Sequence, residues 1–393
     1  MFIEEEQMYI IEKPYVSEYL IDTILNHDWP VLDNETIEGS GLEDGAMELW
    51  STEEAKEYYL KQEFPLIYSN SENAVAWVLD NLPKSNLTKY IKAFKDKIQF
   101  REALKEKYPD FYFKTIEYLD INYVDKEEFA YPLVVKPAVG YLGFAVRLIK
   151  DSSKWEPSIK QMHKDIATNK TTFNQHVVNT TNILLEEYVK GEEFTIDAYY
   201  DRNGVPVILN VFKHICKDEF DISSRLFITS VALMVQYMSK FTQLLSELGD
   251  MFKIKNFPLN LEVRVTSDGQ IIPIEVNPMR FAGWCASDLA KYAWGINIYE
   301  YFEEQIHPDW NKIMEKNDKK IYYFSLINIS KNFPRSSVRE FNYNGYLAGF
   351  SNVIELRRVN HKSNPLFGVV FGSTENEEEF NMILNMEPEK FAT

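Results

Sequence analysis

LNLEVRVTSDGQIIPIEVNPMRFAG, residues 259–283, is the stretch from which the chain is best read. Leu259–Val265 and Ile271–Glu275 read as two strands joined by a turn at Ser267-Asp-Gly269. Centring that turn on Asp268-Gly269 sets Glu262 opposite Glu275, and the strand period of two puts Asn277 on the Glu275 face. Two carboxylates and an amide oxygen form a hard oxygen set that suits Mg2+, with phosphate completing the shell. Without a cation the two carboxylates would repel each other. An exposed charged hairpin is the plainer alternative, and the Ile-Ile-Pro-Ile run before Glu275 argues against it. Arg264 shares the Glu262 face, and Arg280 follows the cluster.

Two further stretches lie upstream. In YPLVVKPAVGYLGFAVR, residues 131–147, Pro132–Val135 reads as a strand ending at Lys136. Gly140 and Gly143 then make a turn, with Phe144–Val146 as a second strand. A lysine beside a glycine turn can clamp phosphate, because the backbone comes close to a ligand and its N–H groups add to the ammonium charge. Neither GxxxxGK[ST] nor GxGxxG is present, so this is not a P-loop or a dinucleotide fingerprint. An ordinary hairpin with a surface lysine remains open on these residues alone. The other stretch is Glu186-Glu187-Tyr188-Val189 followed by Gly191-Glu192-Glu193. Glutamates at a strand end before a glycine turn can line a nucleotide pocket, or form a plain charged loop.

Composition bounds the class. With 393 residues, 45% apolar and 26% charged, the chain reads as globular, with two or three structural units. Lys+Arg 42 against Asp+Glu 60 gives a formal charge of −18, which argues against a nucleic-acid backbone or an anionic membrane as main partner. No apolar run approaches the roughly 18 residues of a spanning helix. The opening MFIEEEQMYIIEK lacks the basic and apolar regions of a signal peptide, and Cys216 and Cys285 form no ligand motif. A cytoplasmic location is expected.

Along the chain, the first part has a short α/β rhythm. Strands are expected at Met8–Ile11, Pro30–Leu32 and Pro65–Tyr68, helices at Tyr15–Asn26 and Asn73–Leu82, and a loop over Asp33–Gly45. Leu87–Lys107 reads as one long helix whose lysines mostly form a solvated face, with Lys97 singled out. Lys170–Val178 is ambiguous, Ser230–Leu248 is an amphipathic helix, and Ser287–Gln305 reads as another. Lys213, His214 and Arg225 lie near the expected site, with packing or surface roles the plainer reading. The strands after Lys320 form either a small appendage or the completion of the central domain.

Taken in order, DKIQFREALKE (96–106), PLVVKPAVGYLGFAV (132–146), ILLEEYVKGEEF (183–194) and LEVRVTSDGQIIPIEVNP (261–278) resemble the motifs of the ATP-grasp superfamily of carboxylate–amine and carboxylate–thiol ligases. The resemblance runs from about residue 87 to 305. It implies an α/β fold with a small N-terminal domain (1–86), an ATP-grasp domain (87–310) and a C-terminal α/β extension (311–393). It further implies ATP with Mg2+, or Mn2+ in its place. Lys97 and Lys136 would meet the phosphates beneath a mobile loop over 138–145 that includes Gly140 and Gly143. Glu186 and Val189 would meet adenine, largely through backbone atoms, Glu193 would hold ribose, and Glu187 would be a further nucleotide-binding residue. Glu262, Glu275 and Asn277 would carry the metal, and Arg264 and Arg280 would face the substrate anion. Many members place an arginine directly after Asn-Pro, whereas Met279 stands there in this chain and Arg280 comes one later.

The implied activity is a ligase that makes an acylphosphate and passes it to an amine. A small-molecule kinase and a non-catalytic nucleotide-binding protein are the alternatives. Small carboxylates and amines are the implied partners, without nucleic acid or membrane, and a homodimer is compatible with this reading.

Overall fold

The computed structural model describes residues 7–38, 47–140, 143–169, 179–218, 220–221, 225–315, 319–330 and 332–393. Three sheets organise them. β1 (Met8–Ile10), β2 (Val31–Leu32), β3 (Leu49–Trp50) and β4 (Ile67–Ser69) form a parallel sheet in the order β3-β2-β1-β4. β3 and the helix Thr52–Tyr59 behind it were not anticipated. Their signal is Ser51 with Glu54, a reciprocal capping box at the helix start.

β5 (Phe113–Glu117), β6 (Leu133–Val139), β7 (Arg147–Ile149) and β8 (Asn179–Glu187) form a small antiparallel sheet in the order β5-β8-β6-β7. The helix Trp155–Asn169 covers it, burying Trp155, Ile159 and Met162 against Leu133, Val135 and Leu185. The strand expected at Phe144–Val146 starts later, at Arg147, because the chain is still turning. Val146 N–H bonds Gly143 O at 3.1 Å, and both Gly143 (φ 66°) and Ala145 (φ 55°) are left-handed. Lys170–Val178 lies outside the described residues.

The third sheet has eight antiparallel strands in the order β13-β12-β9-β10-β11-β14-β16-β15. They are β9 (Glu192–Tyr200), β10 (Pro206–His214), β11 (Leu226–Thr229), β12 (Phe257–Val265), β13 (Ile271–Pro278), β14 (Ile321–Asn328), β15 (Val353–Arg358) and β16 (Leu366–Thr374). The last three thus extend the central sheet instead of standing apart. The helix Val231–Phe252, capped by Ser230, packs Phe241, Leu245 and Leu248 on this sheet. One apolar core runs from Met8 and Ile67 through Phe94 and Phe257 to Leu261 and Phe302, so the N-terminal sheet is docked on the central one. No helix of the described residues is long and apolar enough to cross a membrane.

Two long helices expected from periodicity are broken. Over Leu87–Lys107 the chain forms Asn86–Lys95 and Lys97–Leu104, separated by the extended Asp96. The Asp96 carboxylate accepts the N–H groups of Ile98 and Gln99, starting the second helix afresh. Over Ser287–Gln305 the chain forms Leu289–Trp294 and Ile298–Glu303, parted at the left-handed Gly295.

Candidate functional site

Strand register builds the site. Glu262 and Glu275 are direct partners, as expected, although Ile274 bulges out of the ladder to make them so. Three rows cross the same face of the central sheet. The first is Asp197, Asn260 and Asn277, the second Thr195, Glu262 and Glu275, and the third Glu193 and Arg264. Alternation of side chains along β9, β12 and β13 puts all of them on one surface, beneath the small sheet.

The cations come from the other elements. Lys97 Nζ lies 2.7 Å from Glu275 and 3.4 Å from Gly140 O. In a continuous helix, residues 95 and 97 would point roughly 200° apart. The break at Asp96 turns both inward, and Lys95, unlike the exposed Lys89, Lys92, Lys105 and Lys107, is buried. Its Nζ also reaches Gly140 O, at 3.1 Å, and pairs with Glu72 from the N-terminal domain. Glu72 accepts Arg280 Nη2 as well, at 2.6 Å.

Arg280 arrives there because Met279 is left-handed (φ 63°). Strict alternation would have sent residue 280 to the opposite face. Instead Met279 enters the core and Arg280 joins the charge cluster. Met279 O also accepts Ser69 N–H at 2.8 Å, which ties β4 to this end of β13.

Lys136 lies within β6, which runs on to Val139 instead of ending at the lysine, and it pairs with Glu186, whose other oxygen accepts Arg101 Nε at 2.7 Å. Arg101 continues to Pro273 O at 2.5 Å and stands over the Phe111 ring. Burial would raise Glu186, but Arg101 and then Lys136 hold it at about 2. Burial pulls the Lys136 ammonium down, with Glu186 opposing. The Glu186 side chain therefore fixes Lys136, and only its backbone is left to line a pocket. Glu187 accepts Tyr112 N–H at 2.7 Å.

The two sheets join through residues 188–191. Gly191 (φ 156°) is required there, since a Cβ would lie 2.2 Å from Val265 O. Arg264, expected beside the substrate anion with Arg280, is instead engaged at this hinge. It holds Glu193 at 2.5 and 3.0 Å, Tyr188 Oη at 2.6 Å and Val189 O at 3.1 Å. Glu193 also meets His214 Nδ1 at 3.0 Å, so the buried His214 belongs to the site's rim. Lys213 points elsewhere, to Glu192. Burial would raise Glu193, but His214 and Arg264 hold it at about 2. A cleft of about 330 Å3, lined by Tyr108, Phe111, Tyr188, Val189, Gln270 and Ile272 among others, opens along the hinge.

These two carboxylates dictate an acid response. Each titrates at about 4.5 when exposed and at about 2 when folded, so between those values the unfolded chain binds more protons. Their contribution is complete above pH 4.5 and is lost as pH falls toward 2. Urea midpoints should drop across that window, and Glu186→Gln should flatten the drop.

Glu262 behaves oppositely. Burial, then Glu275 and Glu193, push it up to about 7, while Lys97 and Lys136 outweigh burial to keep Glu275 low. Among the described residues no three His, Cys, Asp or Glu side chains converge as a closed metal site. Two carboxylates and an amide oxygen facing buried lysines instead fit a hard cation that shares its shell with phosphate oxygens.

The fold has known counterparts. Residues 129–288 match the family profile described as the ATP-grasp domain. The fold is that of the ATP-grasp proteins. An L-amino acid ligase from Bacillus licheniformis superposes with a TM-score of 0.69 at 15% identity, over 96% of each chain. The ATP-grasp fold here also matches N5-carboxyaminoimidazole ribonucleotide synthetase from Thermotoga maritima (TM-score 0.63, 14% identity, 99% of each chain). A third match is the biotin carboxylase domain of Hydrogenobacter thermophilus 2-oxoglutarate carboxylase, solved with MgADP, ADP and bicarbonate. It has a TM-score of 0.62 at 11% identity, over 97% of this chain and 90% of that one. No curated protein sequence matches the chain.

Proposed function

We propose that the chain is an ATP- and Mg2+-dependent ligase that activates a small carboxylic acid as an acylphosphate and transfers it to an amine. The observation that carries this reading is the convergence of Lys97 and Lys136 on the face bearing Glu262, Glu275 and Asn277. Two buried ammonium groups and an acidic metal-type set describe a place for a polyphosphate with its cation, between two sheets that can exclude water. The likeness to an L-amino acid ligase over the full length of both chains supports an amino acid or peptide as the acid.

In this reading the hinge backbone near Val189 meets adenine and Glu193 accepts the ribose hydroxyls. Lys97 and Lys136 clamp phosphate oxygens. Glu262, Glu275 and Asn277 hold Mg2+, which when bound neutralises charge on the phosphates. A substrate carboxylate oxygen attacks the γ-phosphorus while the bond to the β–γ bridging oxygen breaks, leaving ADP and an acylphosphate. The amine nitrogen then attacks the carbonyl carbon and loses its proton, and phosphate departs. Arg280 faces the oxyanion of that tetrahedral intermediate, positioned by Glu72.

The test is ADP and phosphate release from Mg-ATP across a panel of acids and amines, with products weighed by mass spectrometry. Turnover needing both an acid and an amine, with a condensed product, is expected. Acid-dependent ADP with a stable phosphorylated product would replace the ligase reading with a kinase one. Tight ATP binding with no turnover on any pair would favour a binding protein.

A further inference from the structure

The first of the three rows carries more than a ligand. Asp197 on β9, Asn260 on β12 and Asn277 on β13 are successive register partners, and none is more than 5% exposed. Three buried polar side chains in a sheet are costly unless their bonds are made, so the direction of each bond is informative. Asp197 Oδ1 accepts the Ala282 N–H at 2.8 Å and Asn260 Nδ2 at 2.7 Å. A carboxyl oxygen that takes a backbone N–H is an acceptor, so Asn260 turns its NH2 toward β9 and its oxygen toward β13. There Asn260 Oδ1 accepts Asn277 Nδ2 at 3.0 Å, and the same Nδ2 donates to Glu262 Oε1 at 3.0 Å. Both amide hydrogens of Asn277 are then committed, and its oxygen is the end left for a ligand.

We propose that Asp197 and Asn260 are positioning residues that lock the Asn277 amide with its oxygen presented to the cation site of Glu262 and Glu275. This rests on the cation-site reading above. The order of donors does not depend on telling amide nitrogen from oxygen, because it starts from a carboxylate pinned by a backbone N–H. Without Asn260, the Asn277 amide is free to rotate by half a turn and offer hydrogens where the cation needs a lone pair. A row that served packing alone would affect folding but leave cation affinity alone.

The experiment uses the full chain with a non-hydrolysable ATP analogue and Mn2+ as probe, reading free Mn2+ by electron paramagnetic resonance. Asn260→Leu should weaken Mn2+ binding by about 10–100-fold, the usual cost of removing a partner behind a metal ligand. Metal-free nucleotide affinity, read in EDTA, should stay unchanged. A folded Asn260→Leu protein with wild-type Mn2+ affinity would overturn the proposal and leave the cation site standing. A wild-type protein that binds no Mn2+ with the nucleotide would overturn both. Should Asn260→Leu not fold, the exchange Asp197→Asn with Asn260→Asp decides. It still offers Asn277 an acceptor and should retain Mn2+ binding, whereas loss of binding in that folded variant would count against the lock.

Discussion

Glu275→Gln should reduce ADP formation by about 100–1,000-fold while leaving the protein folded, the range found when one preorganised electrostatic group is removed from an active site. The substitution keeps the shape of the side chain, and the amide oxygen can still accept from Lys97, 2.7 Å away in the native pair. What it removes is the charge. Against its burial, Lys97 and Lys136 hold Glu275 below the usual carboxylate range, whereas burial and Glu275 itself push Glu262 up. On the function proposed above, loss of the Glu275 charge removes one anionic ligand of the cation. It also leaves two lysines and Arg280 facing one carboxylate fewer, so nucleotide without metal should bind no worse than in wild type. Relief of the repulsion on Glu262 offsets part of any folding cost. The measurement is steady-state ADP release at saturating Mg-ATP, with urea unfolding and metal-free nucleotide binding alongside. Activity within a few-fold of wild type would remove Glu275 from the site.

How much of this was legible in the sequence depends on the range of the interaction. The β12–β13 hairpin was readable because its turn, its alternation and its two carboxylates are all local, and even the Ile274 bulge returned Glu262 to Glu275. Arg280 was readable as a residue but not as a position, since its face depends on the left-handed backbone of Met279. Lys95 looked like one more solvated lysine. Its burial follows from Asp96, whose capping of Ile98 and Gln99 was a visible signal that a long lysine-rich period concealed. Glu72, Arg101 and Asp197 had no local signal of their role. Each acts on residues far away in the chain, with Glu72 reaching Arg280 across 208 positions and Arg101 reaching Glu186 across 85. Arg264 was placed on the correct face by strand period, but its partners at the hinge belong to another strand and an adjoining loop. Charge type and spacing therefore brought out the candidate residues, and partner choice needed the tertiary structure.

The same reasoning locates a stability contact outside the site. Arg357→Met should lower the unfolding free energy by about 3–5 kcal/mol, the cost of stranding one member of a buried ion pair. Arg357 lies on β15, whose place in the central sheet the sequence left open. Its guanidinium pairs with Asp288, which is fully buried in the segment after β13, and reaches Ser17 Oγ at 3.2 Å in the N-terminal domain. Asp288 also accepts Tyr299 Oη at 2.8 Å. One carboxylate thus joins the N-terminal domain, the segment beside the site and the C-terminal strands. Methionine fills comparable volume but leaves the buried Asp288 carboxyl with two hydroxyl donors and no cationic partner. A folded domain commonly has only about 5–15 kcal/mol in hand, so the loss should appear as an earlier urea transition and as faster proteolysis of the C-terminal strands. Adding Asp288→Asn to Arg357→Met should recover part of the loss, because the stranded charge, rather than the missing contact, accounts for most of it. A single variant within about 1 kcal/mol of wild type, the scale of an exposed pair, would mean that Asp288 does not depend on Arg357 and that the C-terminal strands are held by their apolar cluster alone.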